Sequence, residues 1–291
     1  MSQLSNQQSL VKTIIYTTLA LIAFAANSVI CRLALKDGAI DPGLFTSIRL
    51  ASGATVLIIL VFLSKGRRLE KSKGSWFSAA MLFMYAAAFS YAYVSLETGI
   101  GALIVFGVVQ ITMIAYSLIS GYRMNRLEWF GIILALAGFL YLLLPGASAP
   151  SLIGFLLMTL SGIGWGIYSI RGKNSKNPLV DTAYNFLRSL PFLIILLYFL
   201  FQESSFTTKG LLLALLSGVV TSGIGYTIWY MALRGLNSIQ ASIVQLLVPV
   251  LATIGGVIVL NEVIHARIVI SSLLILGGIF LLIFYKKNKI F

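Results

Sequence analysis

Charged side chains are scarce in this sequence, and their scarcity excludes most classes of protein. Only 10% of its 291 residues are charged, whereas 59% are hydrophobic and the mean hydropathy is +0.98. A soluble domain of this length cannot bury so large a share of apolar residues. Cys31 is the single cysteine, so the chain lacks a disulfide framework and a cysteine metal site. These features indicate an integral membrane protein.

Acidic residues are the rarest charged type, and we expect none of them inside the bilayer. The eight acids and the single histidine fall at predicted helix ends or in loops: Asp37, Asp41, Glu70, Glu97, Glu128, Asp181, Glu203, Glu262 and His265. Proton-driven carriers usually need titratable side chains within the membrane. Their absence favours a facilitator driven by the solute gradient, and Glu97 is the one acid close enough to a span to argue for proton coupling.

Motifs of enzymes and of cofactor sites are also missing. The chain contains no GxxxxGK[ST] phosphate-binding loop, no HExxH or CxxC motif and no Gly-x-Ser-x-Gly nucleophile elbow. We therefore predict no catalytic residues, no metal ligands and no cofactor, and we do not expect an enzyme.

Long apolar runs make up most of the sequence. A membrane-spanning helix needs roughly 20 apolar residues, and the sequence offers ten such runs. They lie near 11–35, 42–64, 74–95, 99–121, 126–144, 150–171, 181–201, 209–233, 237–259 and 265–285. The predicted fold class is an all-α polytopic membrane protein with ten transmembrane helices.

The net charge of +13 fits the rule that cytoplasmic loops collect Lys and Arg. If the N-terminus is cytoplasmic, the loops on the opposite side carry only a few basic residues: Arg32, Lys36, Lys209 and Arg267. We therefore predict a multi-pass protein of the inner or plasma membrane with both termini in the cytoplasm. Because the positive charge follows the topology, nucleic acid is not an expected partner.

The two halves of the sequence are related. One ungapped shift of 139 residues superposes several pairs: Arg32 on Arg171, Arg49 on Arg188, Tyr91 on Tyr230, Ala102 on Ala241 and Gly138 on Gly277. We assign 1–144 to the first repeat, with helices one to five, and 150–285 to the second. Because five is odd, the repeats lie antiparallel. Many secondary transporters share this inverted-repeat plan, with the substrate site near the midplane.

Arg49 and Arg188 are the only charged residues well inside predicted helices and away from their ends, where burying a charge is costly. They occupy equivalent positions in the two repeats, about two turns into their helices. A guanidinium can hold a substrate carboxylate through paired hydrogen bonds. An arginine at this depth can instead bond to helix-end carbonyls, so a binding role and a structural role both stay open.

Amides and aromatic residues complete the candidate substrate-binding set. Asn27, Gln110 and Gln245 are costly to leave unpaired in lipid, although they can also hydrogen-bond between helices. Pro249 frees a backbone carbonyl that can bind solute or permit bending. The aromatic candidates, each of which can equally be a packing residue or an interfacial anchor, are Trp165, Tyr168, Tyr226, Trp229 and Tyr230.

Several short stretches carry a resemblance to a known family. They are Ile48-Arg49-Leu50, Leu187-Arg188-Ser189, Tyr230-Met231-Ala232-Leu233, Ala241-Ser242, Val248-Pro249, Asn261-Glu262 and Gly277-Gly278. With them the chain resembles, over nearly its whole length, the EamA-type ten-helix members of the drug/metabolite transporter superfamily. The resemblance implies two inverted five-helix repeats around a central cavity, and export of small metabolites. In the first half, Gln110 stands at the position of Pro249 and Arg123 at that of Glu262.

We therefore expect a secondary transporter or facilitator that moves a small polar metabolite outward by alternating access. An amino acid or a related compound is the expected substrate. The expected partners are this solute and the lipid bilayer, and the sequence leaves monomer and homodimer open. The alternative is a non-transporting membrane scaffold or a lipid-handling protein. A repeat with polar residues on cavity faces favours the carrier, because a scaffold needs neither.

Overall fold

The computed structural model describes residues 2–64, 74–121, 123–146, 149–172, 175, 177–200, 206–236 and 238–287. Helices make up nearly all of these ranges. In chain order they are α1 (Ser2–Leu35), α2 (Pro42–Leu63), α3 (Trp76–Tyr93), α4 (Thr98–Ile119), α5 (Arg126–Leu143), α6 (Leu152–Gly172), α7 (Pro178–Ser189, Leu190–Phe192 and Leu193–Leu200), α8 (Thr208–Leu216, Ser217–Ile224 and Gly225–Leu233), α9 (Ser238–Gln245 and Leu247–Leu260) and α10 (Ala266–Lys287). The predicted all-α fold with ten helices is confirmed in the part of the chain that the structure describes.

Polar residues define where several helices begin. Asp41 Oδ1 accepts hydrogen bonds from the amides of Gly43 and Leu44 at the start of α2. Asn125 and Glu128 form a reciprocal capping box at the start of α5. Such caps satisfy amides that have no partner within the helix. This role explains why these acids lie at helix ends.

Eight described helices are long and apolar enough to cross a membrane, as expected for a multi-pass membrane protein. The described side chains of α10 form a shorter apolar helix, Ala266–Leu281. In α3, three tyrosines and two serines interrupt the apolar sequence. This helix packs against α2, α6 and α7, and its polar groups therefore find partners inside the bundle.

Helix packing follows the internal repeat. α2 packs on α7, α4 on α9 and α5 on α10, and in each of these pairs the partner is the equivalent helix of the other repeat. The contacts of α1 with α8 and α9 are matched by those of α6 with α3 and α4. This exchange is what a twofold axis between two inverted five-helix repeats produces. The predicted inverted-repeat architecture is confirmed.

Three helices of the second repeat are interrupted. α7 contains a 3-10 turn, Leu190–Phe192, that includes Pro191, and α8 contains a π-helical segment, Ser217–Ile224. α9 breaks at Leu246, between Gln245 and the segment that carries Pro249. A proline cannot donate to the carbonyl four residues earlier, so Pro249 leaves the Gln245 carbonyl without its helical partner.

Candidate functional site

A small cavity, called the central cavity below, lies where α1, α3, α4, α6 and α8 meet. Its volume is about 20 Å³, which is room for about one water molecule. The lining residues are Phe24, Asn27, Ser28, Tyr85, Phe89, Val105, Phe106, Trp165 and Tyr226. The wall is therefore mostly aromatic, and a metabolite can enter only if some of the rings move.

Arg49 of α2 lies against this wall and is only 1% exposed. Its Nε donates to Ser222 Oγ at 3.0 Å and its Nη2 donates to Tyr85 Oη at 3.1 Å. The guanidinium carbon lies 5.3 Å from the ring centroids of both Tyr85 and Phe89. Nη1 has no hydrogen-bond partner among the described residues. A buried cation thus lies beside the cavity with one donor group unused.

The π-helical segment of α8 supplies polar contacts to both Arg49 and the cavity. It carries Ser222, and also Ser217 and Thr221, whose hydroxyls donate to Asn27 Oδ1 at 2.7 and 2.9 Å. π-Helical turns inside α-helices often occur at functional sites. Because two hydroxyls donate to the amide oxygen of Asn27, its amide nitrogen is the group that can donate a hydrogen bond to a solute.

A much larger cavity, called the vestibule below, occupies one end of the bundle. Its volume is about 760 Å³. Its polar lining comes from five helices and their adjoining loops: Ser75, Ser78, Thr112, Tyr168, Arg171, Ser175, Asp181, Thr182, Asn185 and Tyr230. Arg171 stacks over the ring of Phe77 at 5.0 Å. The vestibule is wide enough and polar enough to admit a hydrated metabolite.

Two stacked rings separate the vestibule from the central cavity. Trp165 lines the central cavity and Tyr168 lines the vestibule. Their ring centroids are 5.5 Å apart with an interplanar angle of 27°. We call this pair the aromatic partition.

Polar contacts seal the opposite end of the bundle, where α1, α3 and α9 end and α4 begins. Arg32 Nη1 donates to the carbonyl oxygens of Tyr93 and Val94 at 2.9 and 2.8 Å, and Arg32 Nε lies 3.6 Å from Glu262 Oε1. Glu262 accepts from the amide of Thr98 at 3.0 Å and from its hydroxyl at 3.1 Å. We call this set of contacts the sealed end. α3 and α4 each have one end at the vestibule and the other at the sealed end, so the vestibule and the sealed end lie at opposite ends of the bundle.

Asn261 explains how Glu262 reaches these partners. Asn261 has a left-handed backbone conformation, with φ of 56°, which asparagine tolerates better than most residues. The turn ends α9, and the Glu262 amide donates back to the carbonyl of Gly256 at 3.2 Å. The Asn261-Glu262 pair therefore directs a carboxylate towards the start of α4.

Glu97 lies at the sealed end, immediately before α4. Burial raises the pKa of the Glu97 carboxyl, and the nearby charge of Glu262 raises it further, whereas His265 and Arg32 lower it. This acid is therefore the one expected to respond to pH near the seal. Glu70 and Glu203 lie outside the described residues.

Several residues expected from the sequence lie at one of the two cavities. Asn27, Trp165 and Tyr226 line the central cavity, and Tyr168 and Tyr230 line the vestibule. Arg49 lies against the central wall, as described above.

Other expected residues lie elsewhere. Arg188 stacks over Trp76 and Tyr184, at 5.7 and 5.9 Å, and lines neither cavity. The repeat therefore places its two arginines in different environments.

The remaining candidates are buried side chains next to the cavity or in α9. Trp229 packs against Phe24, with ring centroids 5.7 Å apart. Gln110 Nε2 lies 3.5 Å from the Ser242 carbonyl, which joins α4 to α9. Gln245 and Pro249 are buried in α9 on either side of its break. These residues line neither cavity. The contacts of Trp229 and Gln110 join helices, whereas Gln245 Oε1 has no hydrogen-bond partner among the described residues.

The structure adds residues that the sequence did not single out. Tyr85 and Phe89 of α3 lie one helical turn apart and contact both Arg49 and the cavity. Their spacing of four residues places both rings on one face of α3 and could have indicated a shared site. An aromatic pair in an apolar helix, however, usually indicates packing. Glu262 was assigned only to a helix end, because its distant partner Thr98 cannot be inferred from local sequence.

The fold and the site define a class of protein. Two inverted repeats enclose a central site that is approached from one end and sealed at the other, which is the plan of a secondary transporter. The EamA-like transporter family matches residues 11–144 and 152–284. These ranges cover most of the chain, which therefore belongs to the EamA-like transporter family.

The chain is also similar to individual proteins. An uncharacterized protein of Pseudomonas aeruginosa is 49% identical over 94% of both chains. The uncharacterized transporter YoaV of Bacillus subtilis is 24% identical over 88% of this chain and 93% of its own length. A solved crystal structure matches 94% of this chain and 98% of its own with a TM-score of 0.62 at 20% identity. This last similarity concerns the fold alone.

Proposed function

We propose that this protein is a secondary carrier that moves a small polar metabolite across the membrane by alternating access. The observation that carries the proposal is the difference between the two ends of the bundle. A vestibule of about 760 Å³ approaches the central cavity at one end, whereas Arg32, Thr98 and Glu262 close the other end. A carrier needs such a one-sided state, because a path open at both ends would be a channel.

The charge distribution supports an orientation for this state. Gly74 and Ser75 line the vestibule at the start of α3, and Gly172 and Ser175 line it after α6. In the sequence, the segments that join α2 to α3 and α6 to α7 hold many of the basic residues. Basic loops stay in the cytoplasm, so the vestibule faces the cytoplasm and both termini lie there. Solute that enters from this side and leaves at the sealed end is exported, the direction that the family resemblance also implies.

The central site suits a solute that has a carboxylate. Arg49 offers an unpartnered Nη1, and Asn27 offers its amide nitrogen. Guanidinium groups bind carboxylates through charge-assisted hydrogen bonds. These groups, surrounded by aromatic rings, support an amino acid or a related compound as the substrate.

Gradient-driven transport is the favoured source of energy. None of the described residues that line the central cavity is acidic or a histidine, so the site itself offers no proton carrier. The nearest acid with a raised pKa is Glu97 at the sealed end. A coupling to protons would therefore act on the seal and not on the bound solute.

Transport by the purified protein in liposomes tests the proposal. Uptake and efflux of radiolabelled amino acids, hydroxy acids, sugars and nucleosides would be measured with and without an imposed pH gradient. We expect saturable flux of one solute class that needs no pH gradient. The absence of any protein-dependent flux across the panel would contradict the carrier and favour a scaffold or lipid-handling role.

A further inference from the structure

The charge of Arg49 is not balanced by any described part of the protein. Its contacts are two neutral hydroxyls, those of Ser222 and Tyr85, and the faces of two rings. No described carboxylate forms an ion pair with it. Leaving a buried charge without a partner is strongly unfavourable, and a partner of opposite sign relieves the penalty. The unused Nη1 is the group of Arg49 that is left to bind such a partner.

The same site offers no counter-charge for a cation. The residues that line the central cavity are aromatic, aliphatic or neutral polar. Ring faces can bind an ammonium group, but the guanidinium of Arg49 already lies over Tyr85 and Phe89. A second cation placed nearby would be repelled by the first. The site therefore complements one negative charge and disfavours an added positive one.

The body of the ligand must fit between aromatic rings. Phe24 lies 6.3 Å from Trp165 and 5.9 Å from Tyr226, and Trp165 lies 4.9 Å from Tyr226, all measured between ring centroids. This cluster fills the space next to the guanidinium, so a ligand that displaces it must replace its apolar contacts. A carbon skeleton without further charges satisfies that requirement.

From these three observations we propose that the central site selects monoanionic carboxylates that have an apolar body and no ammonium group. Hydroxy or oxo acids of amino-acid size belong to this class. The inference rests on the proposed carrier function and narrows it, because it separates such acids from the zwitterionic amino acids that share their carboxylate and side chain.

Binding of matched ligands to the purified protein in lipid nanodiscs tests the inference. One set is leucine, its hydroxy-acid analogue leucate and isopentylamine, and the other is phenylalanine, phenyllactate and phenethylamine. Titration calorimetry at neutral pH would give each dissociation constant. We expect each hydroxy acid to bind at least about tenfold more tightly than its amino acid, and the amines to show no binding.

Variants of the two equivalent arginines provide the controls. Arg49→Gln is expected to weaken hydroxy-acid binding by about tenfold or more and to abolish the preference over amino acids. Arg49→Lys keeps the charge but loses the planar fork, so the preference should survive at reduced affinity. Arg188→Gln should leave both dissociation constants unchanged, because Arg188 lies over Trp76 and Tyr184, which do not line the central cavity. Thermal unfolding of each variant would report whether it is folded.

The outcomes separate this inference from the proposed function. Equal or tighter binding of the amino acids would overturn the monoanion class, and so would a preference that survives in folded Arg49→Gln. Failure of all six ligands to bind would also overturn it. In each of these cases, saturable liposome flux of another solute would leave the carrier in place.

Discussion

Removing the charge of Glu262 should open the sealed end. In Glu262→Gln the side chain keeps one oxygen that can accept from Thr98, but it loses the ion pair with Arg32 and the charge assistance of its hydrogen bonds. Both side chains are mostly buried, at 16% exposure for Arg32 and 13% for Glu262. From the usual values for ion pairs and charged hydrogen bonds, we expect a loss of about 1–2 kcal/mol. Because these contacts exist only when this end is closed, the loss shifts the population about 5–30-fold towards the state open at this end.

In the proposed orientation the sealed end faces the outside of the cell, and cysteine labelling from that side measures this shift. Ser28→Cys in a Cys31→Ala background places one thiol in the central cavity, and a membrane-impermeant maleimide reaches it only when the sealed end opens. Glu262→Gln should raise the labelling rate about 5–30-fold. Asp37→Asn is the matched control, because the exposed Lys36–Asp37 pair lies on the same side and contributes little. An unchanged rate in folded Glu262→Gln would refute the account of the seal.

Two further predictions concern helix packing and pH. Gly218→Ala should lower the free energy of unfolding by about 1–3 kcal/mol, because the added Cβ would overlap the Arg49 carbonyl. Gly277→Ala is the control and should have little effect, since nothing lies near that position. Thermal unfolding would measure both variants, and equal melting temperatures would contradict the close contact at Gly218. Burial and the charge of Glu262 raise the pKa of Glu97 above its usual 4.5, so protonation favours the sealed state. The external labelling rate, divided by that of Glu97→Gln at the same pH so that titration of the thiol itself cancels, should fall as the pH decreases from neutral towards that value. A ratio that does not change with pH would contradict the role of Glu97.

The two ends of the bundle cannot close with the same ion pair, although the repeats are related. The shift that relates the halves places Arg171 at the position of Arg32 and Arg123 at that of Glu262. Two arginines repel each other, so the vestibule end must close by other contacts. Asp181 accepts hydrogen bonds there from the amide of Gly74 and from the hydroxyl of Ser175. The repeats have therefore diverged more in the residues that close the two ends of the bundle than in their helical fold.

The fold was largely predictable because it follows from properties that are local in the sequence. Apolar runs of sufficient length specify spanning helices, and the shift that pairs Arg49 with Arg188 indicates the inverted repeats. The break in α9 was also accessible, because Pro249 removes a helical hydrogen bond. These features depend on residue type and spacing alone.

The site was only partly predictable because it depends on contacts between distant segments. The sequence gives Arg49 and Arg188 equivalent positions in the two repeats. Their environments differ because α3 and α8 both pack around Arg49. Contacts such as those of Glu262 with Thr98 join residues separated by 164 positions, and no local pattern reports them. The π-helical segment of α8 follows from no sequence rule.

Counterflow in liposomes tests the central claim most directly. Liposomes that contain the protein would be loaded with an unlabelled substrate, and the uptake of a trace of the same labelled substrate would be followed. A carrier that alternates between two one-sided states predicts that internal substrate accelerates the uptake and makes the label accumulate transiently above its equilibrium level. Uptake that is unaffected by internal substrate would contradict alternating access and would indicate a channel or a protein that does not transport.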